Sequence, residues 1–261
     1  MKTVLSIAGT DPTGGAGIQA DLKTIEAHGL YGMAAITVVI AQNTTGVFAM
    51  QAVSPELVAK QIDCVFEDIR PDAVKLGMLY NADIIHAVAD RLRAHHAKNV
   101  VLDPVLISSS GHDLSHPDAL HAMLEQLFPL CTLVTPNLHE TAAICGRSIQ
   151  TRAEMEQAAQ EIAARTKGGV LVKGGHLADC ADDLLCAAGQ LHWLHAPRID
   201  NPNTHGTGCT LSSAIACNLA QGVSLTGSVK RAKRYLTACI RYGLALGHGS
   251  GPLQHRVEWN E

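Results

Sequence analysis

The feature that most constrains this chain is an end-to-end alternation of short, β-branched apolar runs with segments of helical period. The apolar runs fall at residues 3–8, 34–40, 73–76, 100–102, 132–134 and 170–172. In one intervening segment Val58, Ile62, Val65, Phe66 and Ile69 recur on a single helical face. Ser54-Pro55 supplies that helix with a cap and an N1 proline. Thr151 and Glu154 spell a capping box that opens another helix. Strands apolar at every position need cover on both faces, so this alternation predicts a mostly parallel sheet between two helical layers. Residues 184–187 and 191–194, around a short glycine-containing turn, predict a late hairpin. No internal repeat, low-complexity stretch or linker interrupts the pattern, and residues 1–261 read as a single α/β domain.

Composition narrows the function classes. A chain of 261 residues with 47% apolar and 17% charged residues is not a disordered tail. A net charge of -4 and 3% aromatic residues argue against nucleic acid as a partner. No apolar run approaches the roughly 18 residues of a membrane span. The first strand runs quickly into Gly9-Thr10-Asp11, too soon for a secretory leader. A cytoplasmic protein without a membrane partner is expected. The eight cysteines form no CxxC pair, which suits reduced, buried thiols, with Cys209 set apart by its position. The 14 histidines have no spacing that suggests a zinc site.

In a parallel sheet covered on both faces, ligands bind outside the carboxyl ends of the strands. Here the predicted strands end in Gly9-Thr10-Asp11-Pro12-Thr13-Gly14-Gly15-Ala16-Gly17, Gln42-Asn43-Thr44, Gly77-Met78, Asp103-Pro104, Thr135-Pro136-Asn137-Leu138-His139-Glu140 and Lys173-Gly174-Gly175-His176. Six successive strand ends carry small, polar or ionisable residues, which points to one long active-site edge. Later, Asn203-Thr204-His205-Gly206-Thr207-Gly208-Cys209-Thr210 precedes a helical stretch with Leu211, Ala214, Ile215 and Leu219 on one face. Glycines before a helix let backbone N–H groups converge where the helix dipole is positive, an arrangement that binds anions. The loop is neither a Walker A nor a Rossmann fingerprint, and its glycines also suit a plain tight turn. Cys209 opens the helix, where the dipole would favour the thiolate. Lys173 stands where it can reach a phosphate or simply be solvated. Asn137 and Glu140, three apart, suit either Mg²⁺ held through waters or ordinary helix N-terminal chemistry. His205 and His176 flank the same region.

Taken jointly, these segments resemble the ribokinase superfamily, and within it the hydroxymethylpyrimidine and hydroxymethylpyrimidine-phosphate kinases of thiamine biosynthesis. The resemblance is carried by Ser6-Ile7-Ala8-Gly9-Thr10-Asp11, the run at 14–24, Ala41-Gln42-Asn43-Thr44, Lys75-Leu76-Gly77-Met78, Asp103-Pro104-Val105, Thr135-Pro136-Asn137, Val172-Lys173-Gly174-Gly175-His176 and the run at 203–213. It implies a ribokinase-like three-layer α/β/α sandwich, phosphoryl transfer from ATP with Mg²⁺ to a primary hydroxyl of a small pyrimidine, and a homodimer. By the same resemblance Gln42 would read the pyrimidine, with Asp21, Gly9 and Met78 lining its pocket. Asn137, Lys173 and Thr207 would bind the nucleotide, and Asp103 and Glu140 would serve the metal. Gly206, Thr207, Gly208 and Cys209, with Lys173, would hold the transferred group.

Two features depart from the wider superfamily. Sugar kinases of this fold end the glycine loop in Asp, where this chain has Cys209; pyrimidine kinases and some pyridoxal kinases share the Cys. In Ser110-Gly111-His112-Asp113 an acidic residue does not directly follow the glycine. Three other functions compete: a pyridoxal kinase, a catalytically silent vitamer sensor, and a thiol hydrolase built on Cys209. The hydrolase lacks any evident partner to orient a histidine base.

Overall fold

A computed structural model of the chain describes residues 1–106, 116–174, 182–195, 198–242 and 244–259. The expectations at Ser110-Gly111-His112-Asp113, Gly175, His176 and Cys180 lie outside the described residues.

The strands are β1 (Thr3–Ala8), β2 (Tyr31–Ile36), β3 (Val38–Asn43), β4 (Gly46–Ala52), β5 (Ala73–Leu76), β6 (Val100–Leu102), β7 (Leu133–Val134), β8 (Gly169–Val172), β9 (Asp183–Ala187) and β10 (Gln190–Leu194). Eight of them form one sheet in the order β10-β9-β8-β7-β6-β5-β1-β2, and among the described residues β3 pairs only with β4. The run from β8 to β2 is parallel, and β9 and β10 close one end antiparallel. The β9–β10 turn is Ala188-Gly189, both at positive φ, as a two-residue hairpin of this twist requires.

Helices α1 (Gly17–Ala27), α7 (Thr207–Ala220) and α8 (Leu225–Tyr242) pack on one face. Helices α2 (Pro55–Asp68), α3 (Ala82–Ala94), α4 (Ala119–Ala122), α5 (Leu138–Cys145) and α6 (Arg152–Ala163) cover the other. Alternate strand residues enter different cores. Val4, Ala73, Val101, Leu133 and Leu171 meet α7 and α8, while Leu5, Val74, Leu102, Val134 and Val172 meet the opposite layer. That two-sided burial is why the strands are apolar at every position. The expected caps are present: Ser54 accepts from the Leu57 amide, and Thr151 and Glu154 form the capping box. Val58, Ile62 and Phe66 are buried, whereas Ile69, just past the end of α2, is largely exposed.

One strand expectation needs correction. Residues 34–40 do not form one strand; the chain breaks at Thr37, where its amide donates to the Ala8 carbonyl and its hydroxyl to the Met78 carbonyl. The chain then leaves the sheet as the β3–β4 hairpin, and the alternation of strand and helix gives no hint of β4. Most of β4 is exposed, including Phe48 at 70%, so it has no buried face to impose a period. No described helix is long and apolar enough to cross a membrane.

Candidate active site

Strand parity places the charged side chains. Val101, Leu133 and Leu171 face α7, so the residues two further along, Asp103, Thr135 and Lys173, leave the sheet on that side, at its carboxyl edge. There the Lys173 ammonium donates to Asp103 Oδ1 at 2.7 Å, and the Thr135 hydroxyl donates to the same oxygen at 3.1 Å. Glu140 Oε2 lies 3.9 Å from Lys173 Nζ. Burial pushes the Glu140 carboxyl up to about 7; the Lys173 ammonium opposes the rise and the Asp103 carboxylate adds to it. Asn137 and Glu140 form a reciprocal capping box at the start of α5, at 2.9 and 2.7 Å. The helix-terminal reading of that pair is therefore realised, and the Glu140 oxygen that accepts from the Asn137 amide is also the one beside Lys173.

The glycine loop arrives from the opposite side. Gly206, at φ +84°, is the N-cap of α7, and a Cβ there would fall within van der Waals contact distance of the Gly15 carbonyl. Among the described residues, the amides of Gly206, Gly208 and Cys209 have no acceptor in the chain, while the Thr207 amide turns back to the Thr204 carbonyl at 3.3 Å. A Cβ on Gly208 would lie 2.9 Å from Asp103 Oδ2 and 3.4 Å from Lys173 Nζ, so glycine is what lets the helix start approach the ion pair. The loop is fixed by Asp11, which accepts from His205 Nε2 at 2.9 Å and from the amides of Thr13, Gly15 and Ala16. Burial alone would raise the Asp11 carboxyl; the bonds from His205, Thr13 and Ala16 override it and hold it at about 2.

A continuous cleft of about 1460 Å³ joins these parts. At one end lie Gly9, Thr10, Ile40, Gln42 and Met78, and the Gln42 amide donates to the Thr10 carbonyl at 3.3 Å. At the other lie Ile199, Asn201, Pro202, Leu236 and Ile240. Asp103, Asn137, Glu140, Lys173 and residues 206–209 line the middle. Among the described residues, the sequence-predicted ones are thus brought together except Asp21. Asp21 sits beneath the cleft, fully buried, and accepts from Lys75 at 2.7 Å, from the Ser213 hydroxyl at 2.8 Å and from the Ser6 hydroxyl. It belongs to the supporting layer because α1 turns it toward the sheet.

The expected thiolate at Cys209 is also corrected. Burial pushes the thiol up to about 11; Lys75 pulls against this, and the Asp21 and Asp103 carboxylates add to it. Burial and the nearby carboxylates both disfavour the thiolate.

A family model described as phosphomethylpyrimidine kinase matches residues 11–254. The chain belongs to the phosphomethylpyrimidine kinase family. It is 49% identical over 259 residues to the hydroxymethylpyrimidine/phosphomethylpyrimidine kinase of Rhizobium meliloti, spanning 98% of this chain and 97% of that one. It is 45% identical over 266 residues to the Escherichia coli protein of the same description, spanning 99% and 100%. The solved phosphomethylpyrimidine kinase from Clostridium difficile superposes with a TM-score of 0.82 at 42% identity, over 91% of this chain and 98% of that one. The ADP complex of Bacillus subtilis pyridoxal kinase superposes with a TM-score of 0.90 at 36% identity, over 98% of both chains. The three-layer architecture is the ribokinase-like fold of these kinases.

In this phosphomethylpyrimidine kinase family member, site selection from sequence missed Asp11 and Lys75. Asp11 lies inside a quoted motif, but its partner is 194 residues away. Lys75 had a local signal: a lysine inside a four-residue strand that is otherwise wholly apolar. The two carboxylates beside Lys173 are hard oxygen donors with one ammonium between them, which fits Mg²⁺. Among the described residues no group of three or more His, Cys, Asp or Glu side chains forms a protein cage for a metal. Mg²⁺ characteristically uses one or two carboxylates together with substrate phosphates.

Proposed function

We propose that the cleft transfers the γ-phosphoryl group of ATP to the hydroxymethyl oxygen of 4-amino-5-hydroxymethyl-2-methylpyrimidine, and then to the phosphate of the resulting monophosphate, in thiamine biosynthesis. The observation that carries this reading is the meeting of the free Gly206, Gly208 and Cys209 amides with the Lys173–Asp103 pair, in one cleft with Gln42. Phosphoryl transfer asks a protein mainly for positioning and for positive potential around the moving group. The amides and Lys173 supply that potential. Gln42, able to donate and accept, orients the aminopyrimidine. Asn137 and Thr207 bind the nucleotide beside Lys173. Asp103 and Glu140 hold Mg²⁺, which when bound neutralises charge on the phosphates. In each transfer the acceptor oxygen bonds to the γ-phosphorus as the bond to ADP breaks and that electron pair leaves on ADP; in the first transfer the hydroxyl proton is released to water.

Pyridoxal is the rival acceptor, since it too is a flat heteroaromatic ring with a hydroxymethyl group. The pyrimidine reading is favoured because the relatives at 45–49% identity carry that description, whereas the pyridoxal kinases among the solved structures lie at 31–36%. Steady-state ADP formation with each alcohol in turn should give the larger kcat/KM for the pyrimidine. A wide margin for pyridoxal would reverse the assignment, and ligand binding without ADP formation would point to a sensor. A homodimer is supported by the β3–β4 hairpin, which stands outside the main sheet with Val39, Phe48 and Met50 exposed. The seven described cysteines are free thiols, which supports a reducing, cytoplasmic setting.

A further inference from the structure

The second transfer poses a problem that the first does not. Its acceptor is a phosphomonoester carrying close to two negative charges at neutral pH, and it must occupy the place that a neutral alcohol held. Of the cations along the rest of the cleft, Arg198 lies with Ile199 and Asn201 at the nucleotide end, and the two lysines are engaged. Lys173 holds Asp103, and Lys233 holds Asp183. The pyrimidine end is lined by Gly9, Thr10, Ile40, Gln42 and Met78, none of which is charged.

Beneath that end lies Lys75. It is fully buried, yet it belongs to the cleft lining, between the Gly9–Met78 end and Cys209. In the sheet it pairs in register with Ser6 of β1, so both side chains point toward α1 and α7, and there they meet Asp21. Ser213, one turn after Cys209 on α7, ties the other oxygen of Asp21. Hydroxyls from two elements, β1 and α7, thus fix the carboxylate that α1 presents, and that carboxylate fixes the ammonium. The ammonium has three donors, and among the described residues only Asp21 accepts from it. A Cβ on Gly77 would lie 2.7 Å from Nζ, so the strand end is kept bare around the charge. Burial works against the ammonium, but the carboxylates of Asp21 and Asp103 raise it above the ordinary lysine value, so it stays charged.

We propose that Lys75 is a specificity-determining residue for the second phosphorylation: held by Asp21 under the acceptor end, it supplies the positive charge that lets a phosphomonoester serve as acceptor. This rests on the phosphoryl-transfer reading above. In that step an oxygen of the monophosphate bonds to the γ-phosphorus, the bond to ADP breaks, and the electron pair leaves on ADP. An ionised phosphate oxygen has no proton to lose, so the step needs charge neutralisation more than a base. The alcohol, by contrast, must shed a proton and gains less from Lys75.

The test compares kcat/KM for the pyrimidine alcohol and for its monophosphate, at saturating MgATP, in wild type, Lys75→Met and the double variant Lys75→Met/Asp21→Asn. The double variant replaces both members of the buried pair with neutral groups of similar shape, which avoids leaving a lone buried charge if the single variant does not fold. The ratio of monophosphate to alcohol kcat/KM should fall at least fivefold in whichever variants fold, with the KM for ATP unchanged. A smaller fall, including an equal loss on both acceptors, overturns the proposal and leaves the pair a structural one. Wild type that turns over neither acceptor would instead overturn the reading of the cleft.

Discussion

A thiol raised to about 11 is protonated at pH 7. Cys209 therefore contributes its backbone amide and its shape, and Cys209→Ala keeps the amide. Turnover of the alcohol should fall by about tenfold or less, short of the roughly 10²–10⁴-fold loss of a general base. Alkylation of the Cys209 peptide by iodoacetamide, followed by mass spectrometry, should be negligible at pH 7 and rise as the pH approaches 11. Fast alkylation at neutral pH would restore the thiolate. Gln42 spends one amide N–H on the Thr10 carbonyl, and the rest of its amide is open to a ring. Gln42→Ala should raise the KM for the pyrimidine about tenfold with little change in kcat, because the interaction is equally present before and during transfer. An unchanged KM would remove Gln42 from the pocket.

The start of α7 acts as a unit with the two loops that hold it. Gly206 needs its left-handed φ and its closeness to Gly15, so Gly206→Ala should cost at least about 2 kcal/mol of stability and most of the activity. Gly208 has no such φ. An added methyl there meets Asp103 Oδ2 and the Lys173 ammonium instead. Gly208→Ala should leave the melting temperature within a few degrees of wild type while lowering kcat at least tenfold. Equal melting losses in the two variants would contradict this separation. The glycine loop and its helix were legible in the sequence because glycines before an apolar helical face are a local signal. The break at Thr37 was not, because it is decided by carbonyls of Ala8 and Met78 that lie elsewhere in the chain.

Across the whole molecule, Asp11 and His205 tie the first strand end to the anion loop. The folded carboxyl is held at about 2 against 3.8 when unperturbed, so its contribution is present above pH 3.8 and is lost as the pH falls through 2. The difference corresponds to about 2 kcal/mol. Urea midpoints of wild type should drop across that window, and Asp11→Ala should be less stable at pH 7 with a flatter acid limb. Parallel acid limbs would show that Asp11 carries no such linkage. The layered α/β class, the strand ends as one edge and most residues of the cleft followed from the sequence, because strand and helix periods and the short motifs after each strand are local properties of the chain. The protonated state of Cys209, the retreat of Asp21 beneath the floor and the buried ammonium of Lys75 were decided only by tertiary structure. Desolvation and neighbouring charge depend on which distant segments are packed together, and no stretch of sequence contains that sum.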